Sequence, residues 1–226
     1  MNGILPKAWK HAIILPIAKP GKDSSVPSNY RPISLTNVLC KTMEKLVTNR
    51  LTWYLESNDL LNNAQTGFRK GRSTVDQVIK LQDRINKYIR NKGYSLGVFL
   101  DFEKAYDMLW RPGLLNKLKS MHINGCMFQW IIDFVSERIF QVSVGAQRST
   151  TRCLKNGTPQ GSVISPILFL IMINDMKTKS DDVSLSLFAD DSATYNHGHD
   201  VDLLIKQMQK TLDGIQQWCD EWGFKL

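Results

Sequence analysis

The sequence is short of cysteine, of acid relative to base, and of long apolar runs. Its four cysteines, Cys40, Cys126, Cys153 and Cys219, lie far apart and form no CxxC pair. That argues against zinc and a disulfide framework, and it suits a reducing intracellular compartment, nucleus or cytoplasm. The longest uninterrupted apolar run is Ile167–Ile173, far below the ~20 residues needed to span a bilayer. No charged start, apolar run and small-residue cleavage site opens the chain, so neither secretion nor a membrane span is expected. Internal repeats and low-complexity tracts are also missing. Acidic residues number 21 against 29 basic ones, a net charge of +8. Such a balance favours polyanionic partners, either nucleic acid or an anionic membrane. The 226 residues, 42% of them hydrophobic, suffice for one large domain or two small ones.

What is present begins with Leu185–Tyr195, where Asp190 and Asp191 sit between two alternating runs. The pattern predicts a β-hairpin with both aspartates at or beside its turn. Two unit charges ~4 Å apart repel by roughly 4 kcal/mol at an effective dielectric of ~20, so a partly buried pair needs a cation. A third acid, Asp101, ends the short apolar strand predicted over 96–102. On its own it reads equally as a metal ligand or as a helix cap.

Residues 11–19 read as a strand that Pro16 confines to an edge. A turn-rich loop follows, and Tyr30–Leu35 returns as an extended piece. Lys19, Lys22 and Arg31 therefore lie on or around one hairpin, which read blandly is a solvated basic loop. Helical spacing predicts helices over 36–57, with Thr36 as N-cap, and over 74–91, an amphipathic core helix. Between them Phe68, Arg69, Lys70 and Arg72 lie among glycines, a pattern that suits a nucleic-acid backbone and also an ordinary surface loop. Two helices are expected within 111–137, then a hairpin over 139–154. The loop Asn156–Ser162, containing Gln160 and Gly161, opens an apolar helix over 163–176 and can approach a phosphate or base closely. A long amphipathic helix from Val201 ends near Gly223. Composition shifts near residue 93, from a basic helical part to mixed strand and helix. The chain opens inside Ile4-Leu5-Pro6 and closes without a polar tail, so a piece of a longer protein is expected.

If Asp101, Asp190 and Asp191 converge, they can hold two divalent ions ~3.5–4 Å apart that activate an attacking hydroxyl and stabilise a leaving pyrophosphate. Magnesium suits this use, because it takes few carboxylates and completes its shell with phosphates and water; manganese is the alternative ion.

Six segments in order carry a resemblance: Ile14–Lys22, Asn29–Leu35, Gln65–Arg69, Asp101–Asp107, Asn156–Pro166 and Phe188–Asp191. Together they resemble the reverse transcriptases of non-LTR (LINE-type) retrotransposons, jockey-like elements most of all. The resemblance implies an α+β right-hand polymerase with fingers over 1–92 and palm over 93–226. The palm sheet would be antiparallel with helices, among them 112–137 and 161–177, on one face. It implies an RNA-directed DNA polymerase that adds a deoxynucleotide triphosphate to a DNA primer on an RNA template. Asp101, Asp190 and Asp191 match the catalytic aspartates, and the Phe102 carbonyl would assist the metal. Tyr106 matches the aromatic that excludes a 2′-hydroxyl by steric means. Gln160 and Gly161 match the loop beside the nucleotide, Lys19 or Lys22 with Arg31 the triphosphate contacts, and Arg69, Lys70 and Arg72 the template contacts. In the family a Lys-Thr element and a thumb follow the stretch that here ends at Leu226, so the thumb is expected to be absent. The competing expectation is a truncated or domesticated piece that binds nucleic acid without polymerase activity.

Overall fold

The computed structural model describes residues 3–226. In chain order the elements are β1 (His11–Ala18), β2 (Tyr30–Leu35), α1 (Val38–Ser57), α2 (Thr74–Arg90), β3 (Tyr94–Asp101), α3 (Ala105–Met108), α4 (Arg111–Ser120), α5 (Gly125–Val135), β4 (Ile139–Val144), β5 (Gln147–Arg148), β6 (Arg152–Cys153), α6 (Ser165–Ile173), β7 (Ser184–Phe188), β8 (Asp191–Gly198) and α7 (Val201–Trp222). They form two compact units, each drawn from two stretches of chain: Met1–Leu60 with Tyr106–Leu168, and Leu61–Ala105 with Phe169–Leu226. Each unit thus joins chain from both sides of residue 93, where composition shifts. Pairing between distant strands decides the units, and local composition does not report it.

In the first unit β1 pairs antiparallel with β2 along Ile13–Ala18 and in parallel with β4 along His11–Ile14. Pro16 falls in the half of β1 that pairs with β2 alone, the edge position expected of it. Helix α1 starts from Asn37, whose side chain accepts from the N–H groups of Leu39 and Cys40, rather than from Thr36. It buries Cys40, Glu44, Leu51 and Leu55.

In the second unit β3, β8 and β7 form an antiparallel sheet in that order. Asn196 donates to the Leu204 carbonyl at 3.0 Å and Thr194 Oγ1 to Met208 Sδ at 3.2 Å, so α7 covers the face of Ser192, Thr194 and Asn196. Side chains alternate along a strand, which leaves Asp101, Phe99, Asp191 and Ala193 on the opposite face. Gly223, at φ 76°, ends α7 in the left-handed region where a side chain is disfavoured.

Helix α2 begins with a reciprocal Ser73–Asp76 capping box, yet none of its residues is buried. Tyr88 stacks on His197 with ring centroids 5.0 Å apart, and Arg84 lies 5.7 Å over the Tyr195 ring. Val75, Val78 and Ile79 stay exposed. The core helix expected here is therefore a lightly packed one, because periodicity shows that an apolar face exists and not that it finds a partner. Both faces of the sheet carry a helix, α7 on one and α2 at the end of the other far from Asp101. Helices α4 and α5, expected on this sheet, belong to the first unit.

Candidate active site

Three acids meet at one end of the second unit's sheet. Asp101 closes β3 and pairs in register with Asp191, the first residue of β8. Phe188 pairs with Asp191 across the hairpin, so Ala189 and Asp190 form a two-residue turn. Asp101 and Asp191 are exposed and Asp190 is half-buried. The Asp191 carboxyl is held above the usual range by loss of surrounding water and by the charges of Asp190 and Asp101.

Among the described residues no three His, Cys, Asp or Glu side chains make a ready-formed metal cage. The donor set still fits magnesium, which binds through one or two carboxylates and fills its remaining positions with water and substrate phosphate. Asp190 and Asp101 set like charges beside Asp191, and a divalent ion is a group that offsets such charges. The residue after Asp101 fixes the strand end: Phe102 is 3% exposed and meets Phe224, Trp218 and Phe169 edge-on at 5.4, 6.3 and 6.5 Å. Glu103 N–H donates to the Lys225 carbonyl at 2.9 Å, tying the chain end to the same place.

The first unit carries a second group. The loop Asn156–Ser162 lies against the backbone of Tyr106 and Asp107 so closely that a β-carbon on Gly157 would sit 2.6 Å from both carbonyl oxygens. Thr158 N–H donates to the Tyr106 carbonyl at 2.9 Å, and Arg111 Nε donates to the Gly157 carbonyl at 2.9 Å. Burial, then the charge of Arg138, lowers the Arg111 guanidinium to about 10. Ser34 N–H donates to the Gln160 carbonyl at 2.8 Å, which joins the loop to β2, the strand of Arg31. Tyr106, Gln160, Gly161 and the hairpin of Lys19, Lys22 and Arg31 are therefore one connected assembly. Lys19 Nζ donates to the Ser28 carbonyl at 3.2 Å within the hairpin, while Lys22 and Arg31 are exposed.

Sequence reading missed Glu44, the carboxylate at the centre of this assembly. It is fully buried, and it accepts from Ser162 Oγ, from Val163 N–H at 2.6 Å and from Ile164 N–H at 3.4 Å. Cys40 Sγ donates to its other oxygen at 3.4 Å. A carboxylate at the open N–H groups preceding α6 is a favourable placement. The available signal was spacing, since Glu44 shares a helix face with Cys40, Leu51 and Leu55.

The basic loop divides. Arg69 is 7% exposed and donates to the Asn62 carbonyl at 3.0 Å and the Gln65 carbonyl at 3.3 Å. It holds its own loop together, which corrects its reading as a template contact: a buried guanidinium bonded to backbone does not meet a phosphate. Arg72 is half-buried and bonded to Asn63, at 3.1 Å to the carbonyl and 3.0 Å to Oδ1. Lys70 and Phe68 are exposed, and Phe68 has φ 55°.

The family described as reverse transcriptase (RNA-dependent DNA polymerase) matches residues 17–226. The RNA-directed DNA polymerase from mobile element jockey of Drosophila melanogaster is 34% identical over 99% of this chain. The probable RNA-directed DNA polymerase from transposon BS of the same fly is 34% identical over 98% of it. The chain spans about a quarter of each relative, 25% of its length. An apo telomerase from Candida tropicalis, truncated from its C-terminal domain, superposes with a TM-score of 0.63 over 97% of this chain and 49% of its own, at 14% identity. That likeness shows the right-hand polymerase fold alone. The family match over residues 17–226, with mobile-element polymerases 34% identical along nearly the whole sequence, places this chain in the reverse transcriptase family.

Proposed function

We propose that this reverse transcriptase domain copies RNA into DNA: a primer 3′-hydroxyl attacks the α-phosphate of a deoxynucleotide triphosphate and pyrophosphate leaves. The observation that carries the reading is the cross-strand pairing of Asp101 with Asp191 beside the Ala189–Asp190 turn. Asp101, Asp190 and Asp191, with the Phe102 carbonyl, are the residues to hold two magnesium or manganese ions. Such ions, when bound, ease deprotonation of the attacking hydroxyl and offset charge on the leaving phosphate. Tyr106 stands against the sugar and rejects a 2′-hydroxyl by its bulk. Gln160 and Gly161 flank the nucleotide. Lys22 and Arg31 neutralise the triphosphate; of the two lysines Lys22 takes the role, since the Lys19 ammonium is already bonded within the hairpin. Exposed Phe68 and Lys70 take the template strand by stacking and charge. The names fingers for 1–92 and palm for 93–226 belong to the same proposal, as does action inside the cell; no helix among the described residues is long and apolar enough to cross a membrane.

Primer extension on an RNA template tests this directly. Wild-type chain is expected to extend the primer with magnesium or manganese, and Asp190→Ala to lose extension by several orders of magnitude while keeping its fold. Extension that survives Asp190→Ala refutes the reading. Retained RNA binding with no extension by wild type supports the second reading, nucleic-acid binding without synthesis, which the net charge of +8 favours.

A further inference from the structure

The turn that carries Asp190 is held in an unfavourable shape. Ala189 has φ 57°, and a positive φ at only the first central residue is the type II′ pattern, where glycine is the usual occupant. A side chain in that region is strained and persists only when its surroundings hold it there.

The surroundings are residues 64–67, which run beside β7. Thr66 N–H donates to the Leu187 carbonyl and Leu187 N–H to the Ala64 carbonyl, both at 2.9 Å, around a parallel bridge between Gln65 and Leu187. Gln65 is 2% exposed, and its Oε1 accepts from Gly67 N–H at 2.8 Å and from Ala189 N–H at 3.2 Å. A β-carbon at Gly67 would lie 2.4 Å from the Ala189 nitrogen, so the segment abuts the turn with no room between them. Arg69 and Gln77 brace it from behind, through the Gln65 and Ala64 carbonyls.

We infer that Gln65 is a positioning residue for Asp190: its buried carboxamide oxygen clamps the Ala189 N–H and fixes the turn that aims the catalytic pair. The two donors require the oxygen at that point, which settles the amide orientation. Gln65 Nε2 is then buried without a partner, an unfavourable state that natural structures keep rare. Leucine or methionine would avoid the orphan and lose the clamp. Glutamate would keep the clamp and place a further negative charge near Asp190 and Asp191. Glutamine is the side chain of that length that supplies the acceptor and adds no charge.

The inference rests on the reading of Asp190 as a metal-holding residue, and its test separates the two. In the full 226-residue chain, Gln65→Met and Gln65→Glu are compared by amide hydrogen exchange and by titration with manganese alone, followed by electron paramagnetic resonance. In Gln65→Met the Ala189 amide should exchange about tenfold or more faster while Val98 and Thr194 keep their protection. Manganese affinity should fall by about tenfold with an unchanged melting temperature, the scale of a lost supporting contact. Gln65→Glu should keep Ala189 protected and bind manganese at least as tightly as wild type. Should Gln65→Met not fold, Gln65→Asn, one methylene short of the turn, replaces it. Ala189 protection and manganese affinity both within about twofold of wild type would overturn the inference. Faster exchange with unaltered affinity would also overturn it, leaving Gln65 a structural residue. Manganese binding that is indifferent to Asp190→Asn would instead remove the metal reading, and the exchange data would still decide whether the clamp exists.

Discussion

At Asp191 the fold works against its own stability. Loss of surrounding water and the charges of Asp190 and Asp101 raise its pKa above the model-peptide value of 3.8. The folded chain then binds this proton more tightly than the unfolded chain, so the group weakens the fold as pH rises through the raised pKa. The penalty is absent below the unfolded value and fully present at neutral pH. Asp191→Asn should accordingly melt higher than wild type at pH 7 in metal-free buffer, with the two midpoints converging as pH falls towards 3.8. Magnesium should raise the wild-type midpoint more than that of the variant. A variant that melts lower than wild type at pH 7 without metal contradicts this account. Arg69 gives the complementary case at the same scale. Its charge and its place among glycines suggested a phosphate contact, but its burial comes from backbone carbonyls on its own loop, which a side-chain pattern does not encode.

At the scale of elements, what could be read locally was read well. The edge strand with Pro16, the hairpin around Asp190, and the Gly223 stop of α7 each follow from neighbours in sequence. What escaped depends on distant pairing. Nothing within 11–18 announces that β1 will run parallel to β4, and nothing within α1 announces that Glu44 will meet residues 162–164. Spacing puts Glu44 on the apolar face of α1, but it does not show which groups the carboxylate will meet. That carboxylate joins α1 to the start of α6 through three donors. Glu44→Ala takes the shared acceptor from buried Ser162 Oγ and Ile164 N–H and from half-buried Val163 N–H, at a cost of about 2–3 kcal/mol. Glu44→Gln keeps an acceptor oxygen for these donors while losing the charge and the acceptor facing Cys40 Sγ, and should cost about 1 kcal/mol. Urea denaturation checks both through the midpoint at constant slope; equal midpoints for Glu44→Ala and wild type would mean the loop is held by its other bonds alone.

At the scale of the molecule, the excess of base is useful only where it reaches solvent. The net charge of +8 includes Arg69, Arg111 and Arg138, whose guanidinium groups bond to backbone carbonyls, so total charge overstates what a polyanion meets. Lys22, Arg31 and Lys70 are exposed. Affinity for a single strand falls with salt at a logarithmic slope of about −0.7 for each neutralised phosphate. Lys70→Ala should therefore make the slope for single-stranded RNA shallower by about 0.7 while leaving the melting temperature in place. Arg69→Ala should do the reverse: it keeps the slope and lowers the melting temperature, because it removes bonds inside the loop that supports Gln65. Titrations across a salt series, each paired with a melt, distinguish the two. If Arg69→Ala reduces the slope as Lys70→Ala does, Arg69 reaches the strand after all, and the division of this loop into a buried brace and an exposed contact fails.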